Sequence, residues 1–181
     1  MVSTIIAQEM YNRLFILLTT VFMFGVQQTN LRAFYKKLYG VIPNSQNDTL
    51  LWLGTASCVS LPLIGIFDEH LWPLPHGLSA IVFFLTFGLY SVKLGRALYA
   101  HRDKYPDDEQ PSIQRLYTAT HWITYSLGAL LLSIIVYHSK SPTPFFEWSV
   151  VLYYVNFFSI ASFDNPFYNT VHQPGEMTPL K

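Results

Sequence analysis

The chain alternates between long apolar segments and shorter polar ones. A transmembrane helix needs about 20 predominantly apolar residues, and five segments approach or reach that length. They predict helices at about residues 5–28, 50–67, 76–97, 116–137 and 147–163, followed by a polar tail at 164–181. The pattern therefore predicts an all-α fold, a polytopic membrane helical bundle of about five transmembrane helices in one membrane domain, residues 1–181.

The second and third segments form a helical hairpin. Only Asp68–Pro75 separates them, so the two helices must be antiparallel neighbours. The hairpin helices carry small residues spaced four apart, which allow two helix backbones to approach closely. We predict that these residues pack helix against helix: Gly54, Cys58, Ser91 and Gly95. The link Thr29–Thr49 contains a turn at Pro43-Asn44-Ser45, and the charged link Lys93–Arg115 is expected to be a solvated loop.

The composition also indicates a membrane protein, for which lipid is the solvent. Charged residues make up 12% of the chain and hydrophobic ones 51%, whereas a soluble domain has about 25% charged residues. The formal net charge is zero, so there is no basic field that would attract nucleic acid, and we predict no nucleic-acid partner. The single cysteine, Cys58, offers neither a disulfide nor a cysteine-based metal site.

Lysine and arginine predict the orientation. With five alternating helices, one side of the membrane receives nine basic residues and the other receives two, Arg13 and Lys140. Such an excess marks the cytoplasmic or matrix side. We therefore expect the C-terminus on that side and the N-terminus opposite. The nine residues are Arg32, Lys36, Lys37, Lys93, Arg96, Arg102, Lys104, Arg115 and Lys181.

The opposite side gathers carboxylates and imidazoles at predicted helix ends. Such groups can bind a divalent metal, hold the polar head group of a lipid, or cap and anchor helices. The chain has no HExxH, GxSxG or CxxCH motif, and we predict no catalytic residue, no cofactor and no metal, but bound phospholipids. The predicted lipid head-group or interface cluster is Asp68, Glu69, His70, His76, His138 and Glu147.

Five short motifs are spread along the chain: Leu51-Trp52-Leu53-Gly54, Ser57-Cys58, Gly65-Ile66-Phe67-Asp68, His76-Gly77-Leu78-Ser79-Ala80 and Phe146-Glu147-Trp148. Together they resemble the FRAG/DRAM/SFK family of multipass membrane proteins. The resemblance implies a Golgi, endoplasmic-reticulum or lysosomal protein in lipid and GPI-anchor remodelling or autophagy-related trafficking. Family members typically have six membrane helices with a luminal loop after the first, so this chain is expected to lack that helix and loop. His76 and Glu147 follow the family pattern most closely.

Three functions remain open at this point. The first is a non-enzymatic accessory subunit of a larger membrane complex, for which we predict a respiratory-type assembly of the mitochondrial inner membrane, with the C-terminus on the matrix side. Its partners would be membrane lipids and other membrane subunits, and a partner would order the polar tail. The second is the DRAM-like endomembrane role that the resemblance implies. The third is an intramembrane metal-dependent hydrolase built on the cluster of carboxylates and imidazoles.

Overall fold

A computed structural model describes the backbone of residues 9–137 and 143–163, with side chains over 11–136 and 145–161. The described residues form helices and no strands, which confirms the predicted all-α membrane bundle. His138 and the polar tail lie outside the described residues. The helices are α1 (Glu9–Val21), a π-helical turn (Phe22–Gln27), α2 (Gln28–Leu38), α3 (Asn44–Ile66), α4 (Pro73–Ala100), α5 (Gln110–Tyr137) and α6 (Thr143–Phe163).

The first membrane helix is longer than predicted. The helix was expected to end near residue 28, but α1, the π-helical turn and α2 are continuous to Leu38. Residues Leu31, Phe34 and Leu38 are buried at helical spacing, whereas Arg32 and Lys36 are exposed. An amphipathic face therefore extends the helix through the basic stretch that was interpreted as a link. Gly40, at φ 74°, then turns the chain into α3.

The other helices also begin before their predicted starts. Proline caused these errors, because it was interpreted as a loop residue although it is favourable in the first turn of a helix, where its missing N–H costs nothing. Pro73, Pro111 and Pro144 all lie in such first turns, and Pro43 immediately precedes α3. The expected solvated link 93–115 therefore shrinks to residues 101–109, which include two short 3-10 turns, Arg102–Lys104 and Asp107–Glu109.

Four described segments are long and apolar enough to cross a membrane: Tyr11–Leu38, Asn44–Ile66, Pro73–Ala100 and Asp107–Val136. The fifth apolar segment, Phe145–Ala161, is shorter. The complete α6 has 21 residues, and at 1.5 Å per residue it is about 31 Å long, close to the thickness of the hydrocarbon core. The helices thus fit the predicted arrangement of about five spans.

The helices pack mainly in chain order, and α6 then closes the bundle. α1 and α2 pack on α3, α3 on α4, α4 on α5 and α5 on α6. The ring of Phe158 in α6 meets Phe22 of the π-helical turn edge to face, at a centroid distance of 5.1 Å. Phe87 of α4 lies at the centre of the aromatic core, with centroid distances of 4.4 Å to Tyr154 and 4.5 Å to Phe158.

The four small residues that were predicted to pack helices are all buried. A Cβ at Gly54 would collide with Leu31 of α2. A Cβ at Gly95 would collide with Thr120 and approach the Leu116 carbonyl of α5. Cys58 is a buried free thiol, and the Ser91 hydroxyl donates to the carbonyl of Phe87 at 2.8 Å.

Candidate functional site

The α3–α4 link, residues 67–72, is a tight turn organised by Asp68. Its Oδ1 accepts hydrogen bonds from the backbone N–H groups of His70, at 2.7 Å, and Leu71, at 3.2 Å. An aspartate that bonds the backbone two and three residues onward is a common turn device. We call this link the hairpin tip. Asp68 is thus engaged in holding the turn, while His70, Leu71 and Trp72 are exposed.

His76, in the first turn of α4, fastens α4 to the end of α3. Its Nδ1 lies 3.0 Å from the carbonyl oxygen of Ile64 and 2.8 Å from that of Phe67. Both partners are acceptors, so Nδ1 must carry the proton and donate it. These carbonyls belong to the C-terminal end of α3, where oxygens lack helical partners. His76 therefore caps α3, and its second ring nitrogen, Nε2, takes no part in the cap.

A cavity of about 240 Å³ lies beside His76, between α1, α3, α4 and α6. Glu147, at the start of α6, shares its lining. From Glu147 to Phe158 the lining descends α6 by eleven residues, or about 16 Å at 1.5 Å per residue. The walls are aromatic and aliphatic. They comprise Phe15, Thr19 and Phe22; Leu61 and Ile64; Ala80, Phe83 and Phe84; and Val151, Tyr154, Val155 and Phe158.

The cavity is polar at one end and apolar along its depth. His76 and Glu147 both lie near the hairpin-tip ends of their helices, whereas Phe22 and Phe158 lie deeper in the bundle. Phe22 and Val155 are also exposed on the outer surface. Part of the cavity wall therefore lies at the outer surface of the bundle, which faces lipid in a membrane.

Two of the four polar side chains in the lining are already satisfied. The Thr19 hydroxyl donates to the Phe15 carbonyl at 2.7 Å, and the Tyr154 hydroxyl donates to the Phe84 carbonyl at 2.7 Å. His76 has committed Nδ1 but not Nε2, and Glu147 is half-buried. Among the described lining residues, the groups left to face a ligand are therefore an imidazole nitrogen and a carboxyl group. Both lie at the hairpin-tip end, which we call the mouth of the cavity.

The structure divides the predicted cluster. His76 and Glu147 share the cavity, Asp68 holds the turn, Glu69 is half-buried at the tip and His70 is exposed. His138 lies outside the described residues. Over residues 9–137 and 143–163, no three residues among His, Cys, Asp and Glu come together as a group that could hold a metal ion. The apolar walls were not predicted from the sequence, although the adjacent aromatic residues Phe83 and Phe84 are a visible signal for them.

A second polar cluster, which was not predicted from the sequence, lies at the opposite end of the bundle. The ammonium group of Lys37, at the end of α2, forms a salt bridge with Glu109, whose side chain is 4% exposed. Lys37 also lies 5.0 Å from the centre of the Tyr105 ring. Burial, with a smaller contribution from the charge of Glu109, raises the pKa of the Tyr105 hydroxyl to about 12. This Lys37–Glu109–Tyr105 cluster ties the supposedly solvated link to the bundle.

Comparison with known proteins identifies the family. A search of curated proteins and a search of solved structures gave no significant match. The model of the Frag1/DRAM/Sfk1/Cwh43P N-terminal domain matches residues 2–167. This match spans all the described helices and both residues at the mouth of the cavity. The resemblance found in the sequence is confirmed, and the chain belongs to the Frag1/DRAM/Sfk1/Cwh43 family of multipass membrane proteins.

Proposed function

We propose that this protein is a non-enzymatic, lipid-binding member of its family that handles a membrane lipid in an endomembrane. One observation carries the proposal: a cavity among α1, α3, α4 and α6 has polar groups at its hairpin-tip end and apolar walls below. A lipid has the same division, with a polar head group and apolar chains. Phe22 and Val155 line the cavity and also reach the outer surface, so a lipid that entered past them would come from the bilayer without crossing water.

The size of the cavity favours a single chain. Pockets that enclose drug-sized ligands measure roughly 300–1,000 Å³, and this cavity, at about 240 Å³, is smaller. It would therefore hold one acyl chain, with the head group beside His76 and Glu147 and the second chain remaining in the bilayer. Membership of the family favours the Golgi, endoplasmic reticulum or lysosome as the compartment.

The test is to fill the cavity with a larger side chain and to measure how much lipid the purified protein retains. Ala80 lines the cavity beside the aromatic walls, so Ala80→Phe should occupy the space of an acyl chain. Leu89→Phe is the matched control, because Leu89 lies on the same helix but is exposed on its lipid-facing side. After purification in mild detergent, we expect Ala80→Phe to retain severalfold less lipid per protein than Leu89→Phe, measured by native mass spectrometry. Equal retention by the two variants would refute the proposal.

The accessory-subunit prediction remains untested. The comparisons give no support for a respiratory assembly or the mitochondrial inner membrane, and exposed apolar side chains suit contact with lipid as well as contact with a subunit. Fluorescence localisation of the tagged chain addresses the compartment. Purification addresses the complex: a stoichiometric set of respiratory subunits that copurifies would favour the accessory role over lipid handling.

The metal-dependent hydrolase also remains untested. His76 commits one ring nitrogen to the end of α3 and has only Glu147 beside it in the cavity lining. Elemental analysis of the purified protein decides this alternative. Stoichiometric zinc that is lost in Glu147→Gln would favour the hydrolase and count against a binding role alone.

A further inference from the structure

The mouth of the cavity offers hydrogen-bond acceptors. We propose that the bound lipid is recognised through N–H or O–H donors on its own head group, an ammonium or a hydroxyl, and not through its phosphate. This inference rests on the proposed function, because it names the class of lipid that the same cavity would take.

The first step is the tautomer of His76. Because Nδ1 donates to the carbonyls of Ile64 and Phe67, the neutral ring leaves Nε2 with a lone pair and no hydrogen. That nitrogen can only accept a hydrogen bond. When ionised, the carboxyl group of Glu147 likewise offers acceptor oxygens and no donor. Both groups therefore require a hydrogen-bond donor on the ligand.

The second step is the lack of free donors among the other described residues of the lining. The hydroxyls of Thr19 and Tyr154 are donated to the backbone carbonyls of Phe15 and Phe84. Among the described residues that line the cavity there is no lysine or arginine. Phosphate binding in proteins relies on such cations or on clustered N–H groups. A carboxylate beside the mouth would repel a phosphate, whereas it attracts an ammonium or a hydroxyl.

Three lipids with matched acyl chains distinguish recognition of a head-group donor from recognition of the phosphate. Phosphatidylethanolamine carries both a phosphate and N–H donors, diacylglycerol carries a hydroxyl donor without phosphate, and phosphatidylcholine carries a phosphate without any donor. Each lipid is added to the purified full chain in detergent, and binding is measured by native mass spectrometry. We expect phosphatidylethanolamine to bind about tenfold more tightly than phosphatidylcholine, as the loss of a charge-assisted hydrogen bond implies.

The diacylglycerol result identifies the donor. Binding as tight as that of phosphatidylethanolamine would assign recognition to any donor, hydroxyls included, whereas weaker binding would assign it to the ammonium. Either result supports the inference while phosphatidylcholine remains the weaker phospholipid. If phosphatidylcholine equals phosphatidylethanolamine and both exceed diacylglycerol, the phosphate is what the protein recognises, and the inference is overturned.

Two variants connect the preference to the mouth of the cavity. Glu147→Gln keeps the shape but removes the charge, and His76→Asn supplies an amide N–H in place of Nδ1–H while removing Nε2. Each variant should reduce the preference for phosphatidylethanolamine over phosphatidylcholine by about tenfold while leaving phosphatidylcholine binding unchanged, which also shows that the variant is folded. Glu69→Gln is the matched control, because Glu69 lies at the hairpin tip outside the cavity lining. An undiminished preference in both variants would refute the inference.

The two proposals fail differently. In one outcome, Ala80→Phe lowers the retention of all three lipids equally, but the wild-type chain binds the three with equal affinity. The cavity then holds lipid without distinguishing between head groups. The proposed function then stands, and the inference falls. If Ala80→Phe changes nothing, the cavity is not the lipid site, and both fall.

Discussion

At the residue scale, His76 has two roles, and each of its two ring nitrogens serves one of them. Nδ1 completes the end of α3 by donating to the Ile64 and Phe67 carbonyls, and Nε2 remains for the cavity. Asparagine reaches about as far as Nδ1 and carries an N–H donor, whereas alanine has none. The residue type alone does not reveal this division, because it depends on which acceptors the folded chain brings to the ring.

We therefore predict that His76→Ala is less stable than His76→Asn. Alanine leaves two carbonyls at the end of α3 without their donor, which costs about 1–3 kcal/mol in the free energy of unfolding. Asparagine should recover most of that loss, measured by unfolding the purified protein with a denaturing detergent. If the two variants are equally stable, His76 does not cap α3.

A second prediction at the residue scale compares two glycines, Gly95 and Gly128. A Cβ at Gly95 would collide with Thr120, a branched side chain with little freedom to move, and approach the Leu116 carbonyl. A Cβ at Gly128 in α5 would meet nothing within 4 Å. Gly95→Ala should lose about 1–3 kcal/mol of stability through overpacking, while Gly128→Ala should gain slightly, because alanine favours helices. Equal effects of the two changes in the same unfolding titration would contradict close packing of α4 on α5.

At the element scale, the Lys37–Glu109–Tyr105 cluster holds α2 against residues 101–109. The Gln110 side chain adds hydrogen bonds to the carbonyls of Arg102 and Tyr105. The sequence could not predict this arrangement, because Lys37 and Glu109 are 72 residues apart and each looks like an ordinary charge in a solvated link. Only the helical extension of α2 to Leu38 brings Lys37 to the start of α5.

Removing one member of the cluster should cost more than removing the pair. Lys37→Met leaves the buried carboxylate of Glu109 without its cation, so we expect a loss of about 3–5 kcal/mol in the free energy of unfolding. The double variant Lys37→Met with Glu109→Leu replaces both charges by apolar groups of similar size and should recover most of that loss. A double variant as unstable as the single one would show that the salt bridge is not what holds the two elements together.

At the scale of the whole molecule, the sequence predicted the class of fold and the number of helices well, because apolar length is a local property. It placed helix starts late where proline opens a helix, as at Pro73 and Pro111, and it cut the first membrane helix short. The cavity could not be predicted from local patterns. Its walls come from four helices, and it exists because α6 closes against the π-helical turn at Phe22 and Phe158.

The orientation of the bundle is the remaining prediction at this scale. The described basic residues of the predicted inner set lie in α2, the end of α4, residues 101–109 and the start of α5, all at the end away from the hairpin tip. By the positive-inside rule, we predict that this end faces the cytosol and the hairpin tip faces the lumen if the protein lies in the proposed endomembrane. The mouth of the cavity, with His76 and Glu147, would then face the lumen.

Single introduced cysteines can show which end of the bundle lies on which side of the membrane. Tyr39 and Leu71 are 65% and 76% exposed at opposite ends of the bundle, and the native Cys58 is fully buried and should not react. In sealed vesicles with the cytosolic face outward, a membrane-impermeant maleimide should label Tyr39→Cys directly, and Leu71→Cys only after the membrane is permeabilised. The reverse pattern would invert the bundle and move the cavity mouth to the cytosol. Direct labelling of both would show that α3 does not cross the membrane.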